Sequence, residues 1–348
     1  MKILFLGLGS AGQRHLRNIR RILGDQAELS AVRVRKLNWV FDDNLQVVPA
    51  ATLQDKYPIK EYDNLSDAFA QKPDITIIAN PNSMHIECAV QAAKAGSHIF
   101  IEKPLSNTLD GIDELKHIAR KNKLKVYVGF QNRFHPCIQK LKELIDSSRL
   151  GHLISIHCEI GELLSNMHSY EDYRGMNESR KETGGGVVLC QIHELDYLYW
   201  MLGLPEELYA AGGKNSHMDI DVEDHAITCC RYRREDYTFP VIIQQDFIQS
   251  PPVRRCKVVG EYGRVEIDLL KNTCTLYFTD QKTETYHFSD FNRNDMFLEE
   301  MRRFLDSVKT GRPEFVDIDS GCGSLKLALA IKESIETQQI IRFNYERG

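Results

Sequence analysis

The sequence predicts an α/β chain in two parts. Residues 1–122 should form a Rossmann-type, doubly wound parallel sheet, and residues 123–348 an α+β domain with a large, mostly antiparallel open sheet. Three observations carry this prediction. Short apolar runs alternate with helical stretches through the first third of the chain. Glycines in G-x-G-x-x-G spacing separate the first run from the first helix. From about Lys123 the runs follow one another across turns, without crossover helices between the later ones. The 348 residues, 42% hydrophobic and 27% charged, are enough for two cores. A net charge of −5 gives no reason to expect nucleic acid as a partner. No apolar run approaches the roughly 20 residues that cross a bilayer, so no membrane partner is expected.

KILFL opens the chain as a strand buried on both faces. This apolar start is only about a strand long and does not show the basic start and long apolar core of a signal peptide. Gly7, Gly9 and Gly12 follow, and a helix continues to Leu23. Gly7 allows the tight turn, Gly9 lets a pyrophosphate approach the backbone, and Gly12 lets helix and strand pack closely. Gly7, Leu8, Gly9, Ser10, Ala11 and Gly12 are therefore candidate dinucleotide ligands. Further strands are expected at Ala27–Val34, 75–79 and 98–102. Ligands of such a sheet bind beyond the carboxyl ends of its strands. That adds Asn80, Pro81, Asn82, His85, Glu102, Lys103 and Gln131 as cofactor candidates. The second strand ends in Arg33, Arg35 and Lys36 with no acid until Asp42, which favours the 2′-phosphate of NADP over the ribose of NAD.

Ala79–Ser106 contains Glu102-Lys103-Pro104 and resembles the second half of the dinucleotide domain in the glucose–fructose oxidoreductase, inositol dehydrogenase and MocA (Gfo/Idh/MocA) family. GGGVVLCQIHELDYLYWMLG, VGFQNRFHP (128–136), 293–308 and 327–337 are similar to later parts of the same family. The HELDYL helix is closest to the subgroup found with sialic-acid-like and surface-polysaccharide sugar pathways. The resemblance implies that Lys103 and His193 bracket the reacting hydroxyl. Residue chemistry points the same way: an amine after a buried strand and an imidazole near neutrality can both handle a hydroxyl proton. Glu102 would steady the ammonium.

One helix is expected from about Val187 to Leu202, with His193 on the face that meets substrate. Gly184, Gly185 and Gly186 before it would let cofactor or sugar come close. The family usually carries an aspartate about one turn before the histidine, whereas this chain has Leu189 and Cys190. Glu194 or Asp196 could substitute for it. Arg133, Tyr173, Arg174 and Cys190 are substrate-binding candidates beside His193, with His135, Arg180 and Lys181 as further polar groups. No metal is expected, because His193-Glu194 lacks a second histidine four positions on.

The function expected is NAD(P)-dependent hydride transfer at a hydroxyl-bearing carbon of a sugar, sugar acid or nucleotide sugar. Two alternatives remain open. One is a recycled, tightly bound dinucleotide performing net elimination, epimerisation or hydrolysis; the other is a non-catalytic dinucleotide sensor. Nine scattered cysteines without a CxxC pair fit a reducing cytoplasm. An open sheet face in the second domain predicts a homodimer or homotetramer.

Overall fold

The computed structural model describes residues 1–33, 39–42, 47–48, 52–168, 170–234 and 236–343. The chain divides into two compact units, Met1–Phe130 with Arg293–Cys322, and Gln131–Asn292 with Gly323–Gly348.

The first unit is built on strands β1 (Lys2–Leu6), β2 (Glu28–Val32), β3 (Lys60–Tyr62), β4 (Ile75–Ile78), β5 (His98–Glu102) and β6 (Val126–Gly129). They pair in the order β3-β2-β1-β4-β5-β6, every pair parallel. The strand order reverses beside β1, and such a switch point opens a ligand crevice at the carboxyl ends of the strands. β1, β4 and β6 are apolar and almost wholly buried, as strands covered on both faces must be. Helices α1 (Ser10–Leu23), α2 (His85–Lys94) and α3 (Ile112–Asn122) supply crossovers.

Two segments lie outside the expected domain boundary at residue 122. Strand β6 was expected to open the second domain, yet it completes the first sheet beside β5. Helix α7 (Arg293–Thr310) also packs on the first unit, against α1. Aromatic packing accounts for both: Phe304 meets Phe100 and Tyr127 edge-on at 5.6 and 5.9 Å, and those two rings stack at 5.6 Å. After α7, the Val316 carbonyl accepts from Val128 N, so the chain returns along β6. Helix α8 (Ile318–Thr337) then runs from the first unit into the second.

The second unit carries a nine-stranded sheet. Its strands are β7 (Leu153–Gly161), β8 (Glu207–Gly213), β9 (His225–Arg234), β10 (Tyr237–Asp246), β11 (Val253–Gly260), β12 (Gly263–Asp268), β13 (Thr273–Phe278), β14 (Thr283–His287) and β15 (Ile341–Arg342). They pair in the order β14-β13-β12-β11-β7-β10-β9-β8-β15, and β7–β10 is the parallel pair among antiparallel ones. In β9, Ala226, Thr228, Cys230 and Tyr232 point inward while Ile227, Cys229 and Arg231 point out. Helix α4 (Pro136–Asp146) packs on β12 and β13, and the short α5 (Val187–Cys190) packs on β9 and β10. Across the outer face Ile154, Tyr209, Ile227 and Ile242 are exposed.

The helix expected from Val187 to Leu202 is interrupted. After α5 the chain breaks at Gln191, and α6 runs from His193 to Leu202. The Gln191 side chain donates to the Asp246 carbonyl at 2.8 Å, and Gln245 donates its amide to the Gln191 carbonyl at 3.1 Å. The Gln191 N–H still donates to the Val187 carbonyl at 2.9 Å, but its own carbonyl is taken by Gln245, so the helical ladder ends there. Among the described residues no helix is long and apolar enough to cross a membrane.

Gly185 and Gly186, just before α5, face the protein itself, which corrects the expectation that they open space for a ligand. A Cβ on Gly185 would lie 2.6–2.8 Å from the carbonyls of Asn177, Glu178 and Arg180. On Gly186, at φ +107, it would strike the Glu223 carboxylate at 2.2 Å. Gly185→Ala should therefore lower the unfolding free energy by about 1–3 kcal/mol in urea titration, because backbone carbonyls cannot swing aside.

Candidate functional site

In the first unit the glycine turn has the shape that a dinucleotide needs. A Cβ on Gly7 would sit 2.5 Å from the Ala79 carbonyl oxygen, and one on Gly12 would sit 2.3 Å from that of Gly7. Those two positions are closed by the protein's own backbone. At Gly9 no heavy atom lies within 4 Å of where a Cβ would stand, and the residue is exposed. Gly9 precedes the 14-residue α1, so bare backbone meets the positive end of a helix where a pyrophosphate would bind. Leu8 is buried beneath the turn, while Ser10 and Ala11 begin α1 half-exposed.

Gln13, which the sequence reading passes over, braces this turn. It is fully buried, donates to the carbonyls of Leu8 (3.1 Å) and Trp39 (2.8 Å), and accepts from Phe41 N at 2.9 Å. A polar residue one step past a glycine motif gives no sequence signal of such a task.

At the carboxyl ends of β4 and β5 the candidates divide into ligands and supports. Asn80 donates to Cys88 Sγ at 3.2 Å, while its buried Oδ1 has no hydrogen-bond partner. An orphaned acceptor at this end of the sheet suits a ribose hydroxyl or a carboxamide N–H. Pro81 and Asn82 continue the same turn into α2. His85 is fully buried, and its ring nitrogens lie 2.8 Å from the Pro104 carbonyl and 2.9 Å from that of Asn80. Burial lowers its pKa against the pull of those two carbonyls. His85 thus ties the Asn80 turn to the Glu-Lys-Pro turn, and its imidazole is spent on backbone rather than offered to a cofactor.

Glu102 is held from α1 as well as by its neighbour Lys103. Its Oε1 meets Nε2 of the fully buried His15 on α1, and its Oε2 accepts from Lys103 N at 3.1 Å. Burial raises the Glu102 pKa, but the His15 bond, the His15 charge and the Lys103 charge outweigh it, so the net shift is downward. His15 therefore links the helix of the glycine turn to the strand end that carries Lys103. The Arg33 guanidinium donates to Glu61 at 2.7 Å, which sets a carboxylate against any 2′-phosphate it would otherwise receive. Arg35 and Lys36 lie outside the described residues.

In the second unit, α6 brings His193, Glu194 and Asp196 into the interior, where all three are buried. Neither carboxylate serves the histidine, which corrects their proposed substitution for the family aspartate. Arg254 on β11 grips Glu194 through two bonds of 2.8 and 3.1 Å. Arg133 grips Asp196 through two bonds of 2.9 and 2.7 Å, and Ser324 adds a third at 2.8 Å. Arg133, 1% exposed and lying over Trp200, is thus a support of α6 rather than a residue presented to substrate. What lies against His193 Nε2 is the carboxamide nitrogen of Gln131, at 3.0 Å. Gln131, expected on the cofactor, is here the histidine's neighbour.

The other polar candidates are largely engaged. His135 caps α4 by accepting from Cys137 N, and burial and the nearby Arg254 charge lower its pKa to about 4. Arg174 folds onto Asp172, whose pKa its hydrogen bonds bring down to about 2. The Tyr173 hydroxyl accepts from Asp219 N at 3.2 Å. Arg180 donates to the Arg174 carbonyl at 2.9 Å, and Lys181 N donates to Asp221 at 2.7 Å. Cys190 is buried at the end of α5.

These geometries give two expectations. Gly9→Ala should leave the unfolding free energy within about 0.5 kcal/mol of wild type, since nothing crowds the new methyl. Gly12→Ala should cost about 1–3 kcal/mol, since the new methyl meets a carbonyl. Isothermal titration should nevertheless find dinucleotide affinity reduced in Gly9→Ala. The second concerns pH. A depressed Glu102 pKa contributes stability that is present above the ordinary glutamate value and is lost as pH falls through the folded value. His15→Leu should be less stable than wild type at neutrality, with the gap narrowing as pH falls through the carboxylate range in parallel urea titrations.

Two family descriptions match the chain in series: an oxidoreductase family with an NAD-binding Rossmann fold over residues 1–130, and a GFO/IDH/MocA C-terminal domain over residues 138–266. The myo-inositol 2-dehydrogenase of Thermotoga maritima is 26% identical, over 98% of both chains. The solved WlbA dehydrogenase of Bordetella pertussis, in complex with NADH and UDP-GlcNAcA, superposes with a TM-score of 0.79 at 20% identity, covering 99% of each chain. The UDP-N-acetylglucosamine 3-dehydrogenase GnnA of Acidithiobacillus ferrooxidans does so with a TM-score of 0.75 at 20% identity, over 97% of this chain and 98% of that one. With the glycine turn, the Glu-Lys-Pro turn and both domain matches in sequence order, the chain belongs to the Gfo/Idh/MocA oxidoreductase family.

Proposed function

We propose that this chain is an NAD(P)-dependent oxidoreductase of a sugar, sugar acid or nucleotide sugar. Its turnover moves a hydride between nicotinamide and a hydroxyl-bearing carbon. The observation that carries this reading is the glycine turn, closed by backbone at Gly7 and Gly12 and open at Gly9. Gly7 to Gly12 would hold the pyrophosphate at the start of α1, and the orphaned Asn80 Oδ1 would accept from the ribose or the carboxamide. The dinucleotide, when bound, supplies hydride chemistry. Lys103 stabilises the developing alkoxide as a hydroxyl is oxidised, and His193 accepts its proton. The inositol and UDP-sugar activities named for relatives support a polyhydroxylated substrate. A role in surface-glycan or sialic-acid-like sugar metabolism extends that reading.

The protein is read as cytoplasmic, consistent with nine free cysteines. It is also read as a homodimer or homotetramer, joined through the outer face of the nine-stranded sheet, where Ile154, Tyr209, Ile227 and Ile242 are exposed. NAD and NADP are both retained as cofactors, because Glu61 already occupies Arg33. A second reading, dinucleotide binding without turnover, draws on Cys190 and on the engagement of Glu194 and Asp196 by arginines.

A panel of polyols, sugar acids and nucleotide sugars with both dinucleotides tests the choice by NAD(P)H absorbance. Turnover is expected on at least one class, with kcat/KM falling by about 10²–10⁴ in Lys103→Ala and in His193→Ala. Wild-type rates in both variants would remove the site assignment. Dinucleotide binding with no turnover across the panel would favour the second reading.

A further inference from the structure

Lys103 leaves the first sheet between two buried imidazoles. Its backbone N–H donates to Glu102 Oε2 at 3.1 Å, and Glu102 Oε1 meets Nε2 of His15 from α1. One residue on, the Pro104 carbonyl meets Nδ1 of His85 from α2 at 2.8 Å. The backbone on either side of the Lys103 side chain is therefore tied to a helix. His15 is fully buried, with the ring of Phe100 edge-on at 4.8 Å and that of Phe297 at 6.3 Å. Its Nδ1 is buried without a hydrogen-bond partner, so among the described residues the bonding of this ring goes to Glu102. A hydrocarbon side chain would fill the same aromatic surroundings without stranding a polar nitrogen. What it would lack is a donor for Glu102.

We propose that His15 is a positioning residue for Lys103: by holding Glu102 it aims the second carboxylate oxygen at the Lys103 amide, and so fixes the point from which the amine extends. The inference rests on the reading of Lys103 as the residue that stabilises the alkoxide. Glu102 is bonded at both oxygens, to α1 through one and to its neighbour's backbone through the other. Without the imidazole only the second bond remains, and the buried carboxylate can turn away or take up a proton. A reacting group displaced by about 1 Å can lose about 10²-fold in rate. Fully buried, His15 cannot touch substrate, and it acts through Glu102. Nor does it hold the glycine turn, which Gln13 braces through the carbonyls of Leu8 and Trp39. Loss of His15 should therefore reach kcat and leave dinucleotide binding alone.

The test compares His15→Leu with His15→Gln in the full-length protein, with His15→Met in place of the first should Leu not fold. Gln carries a donor nitrogen to the place of Nε2, whereas Leu and Met do not. In protein labelled with nitrogen-15 lysine, the Lys103 amide is assigned by its loss in Lys103→Arg. Wild type should show it downfield, as an amide donating to a carboxylate. The apolar variant should move it upfield and lower kcat by about 10–100-fold, with KM and dinucleotide Kd within about two-fold of wild type. His15→Gln should restore the amide shift and most of kcat. An unmoved amide with wild-type kcat in the apolar variant would overturn the proposal. So would equal impairment in His15→Gln, or a loss of dinucleotide affinity as large as that of kcat. An amide that moves in the apolar variant and returns in His15→Gln, in a protein that turns over no sugar, would uphold His15 as the residue that places Lys103 while removing the dehydrogenase reading.

Discussion

Helix α6 carries Glu194 and Asp196 into an interior closed to water, and each is met there by an arginine from another segment. An unpaired carboxylate in that place would cost several kcal/mol of desolvation, or would take up a proton. The forked geometry of Arg133 and Arg254 supplies two bonds to each acid, so both acids are held as structure. Much else follows from this pairing. It fixes the rotation of α6 and ties the segment after β6 to that helix. It also sets the Gln131 carboxamide beside the imidazole. The carboxylates of α6 are thereby spent on arginines, and the histidine that precedes them faces the Gln131 carboxamide.

Glycines are used in two opposite ways along the chain. Gly7 and Gly12 remove side chains so that strand, turn and helix can touch, and that contact leaves Gly9 open towards solvent. Gly185 and Gly186 remove side chains so that three carbonyls and the Glu223 carboxylate can press against the start of α5. In the first case the missing methyl makes room for a ligand. In the second it makes room for the protein's own polar groups. Only the first has a spacing that sequence can recognise.

Strands β1, β2, β4 and β5 of the first unit were legible because they are short apolar runs bounded by turns, and β5 occupies the span read for it, whereas β3 reads Lys-Glu-Tyr and carries no such signal. β6 was assigned to the wrong domain because its partner is spatial, not sequential: the pairing with β5 and the rings of Phe100, Tyr127 and Phe304 decide it. β8, β14 and β15 carry little apolar periodicity, being built on small Ala and Gly residues, alternating Thr and Glu, and a two-residue run. Lys103 and His193 could be singled out from residue type and resemblance. The duties of His15, Gln13 and Gln131 could not, because each is defined by a contact from a distant part of the chain. The same holds for Arg133, whose partner 63 positions away turns a presumed substrate ligand into a support.

The claim that the arginine–carboxylate pairs carry structure rather than chemistry is most directly tested by a double-mutant cycle in urea with Arg133→Met, Asp196→Leu and the two together. Each single change strands a buried charge and should cost about 3–5 kcal/mol, whereas the double change should lie close to wild type because no charge is left unpaired. Additive losses in the double variant would contradict the account.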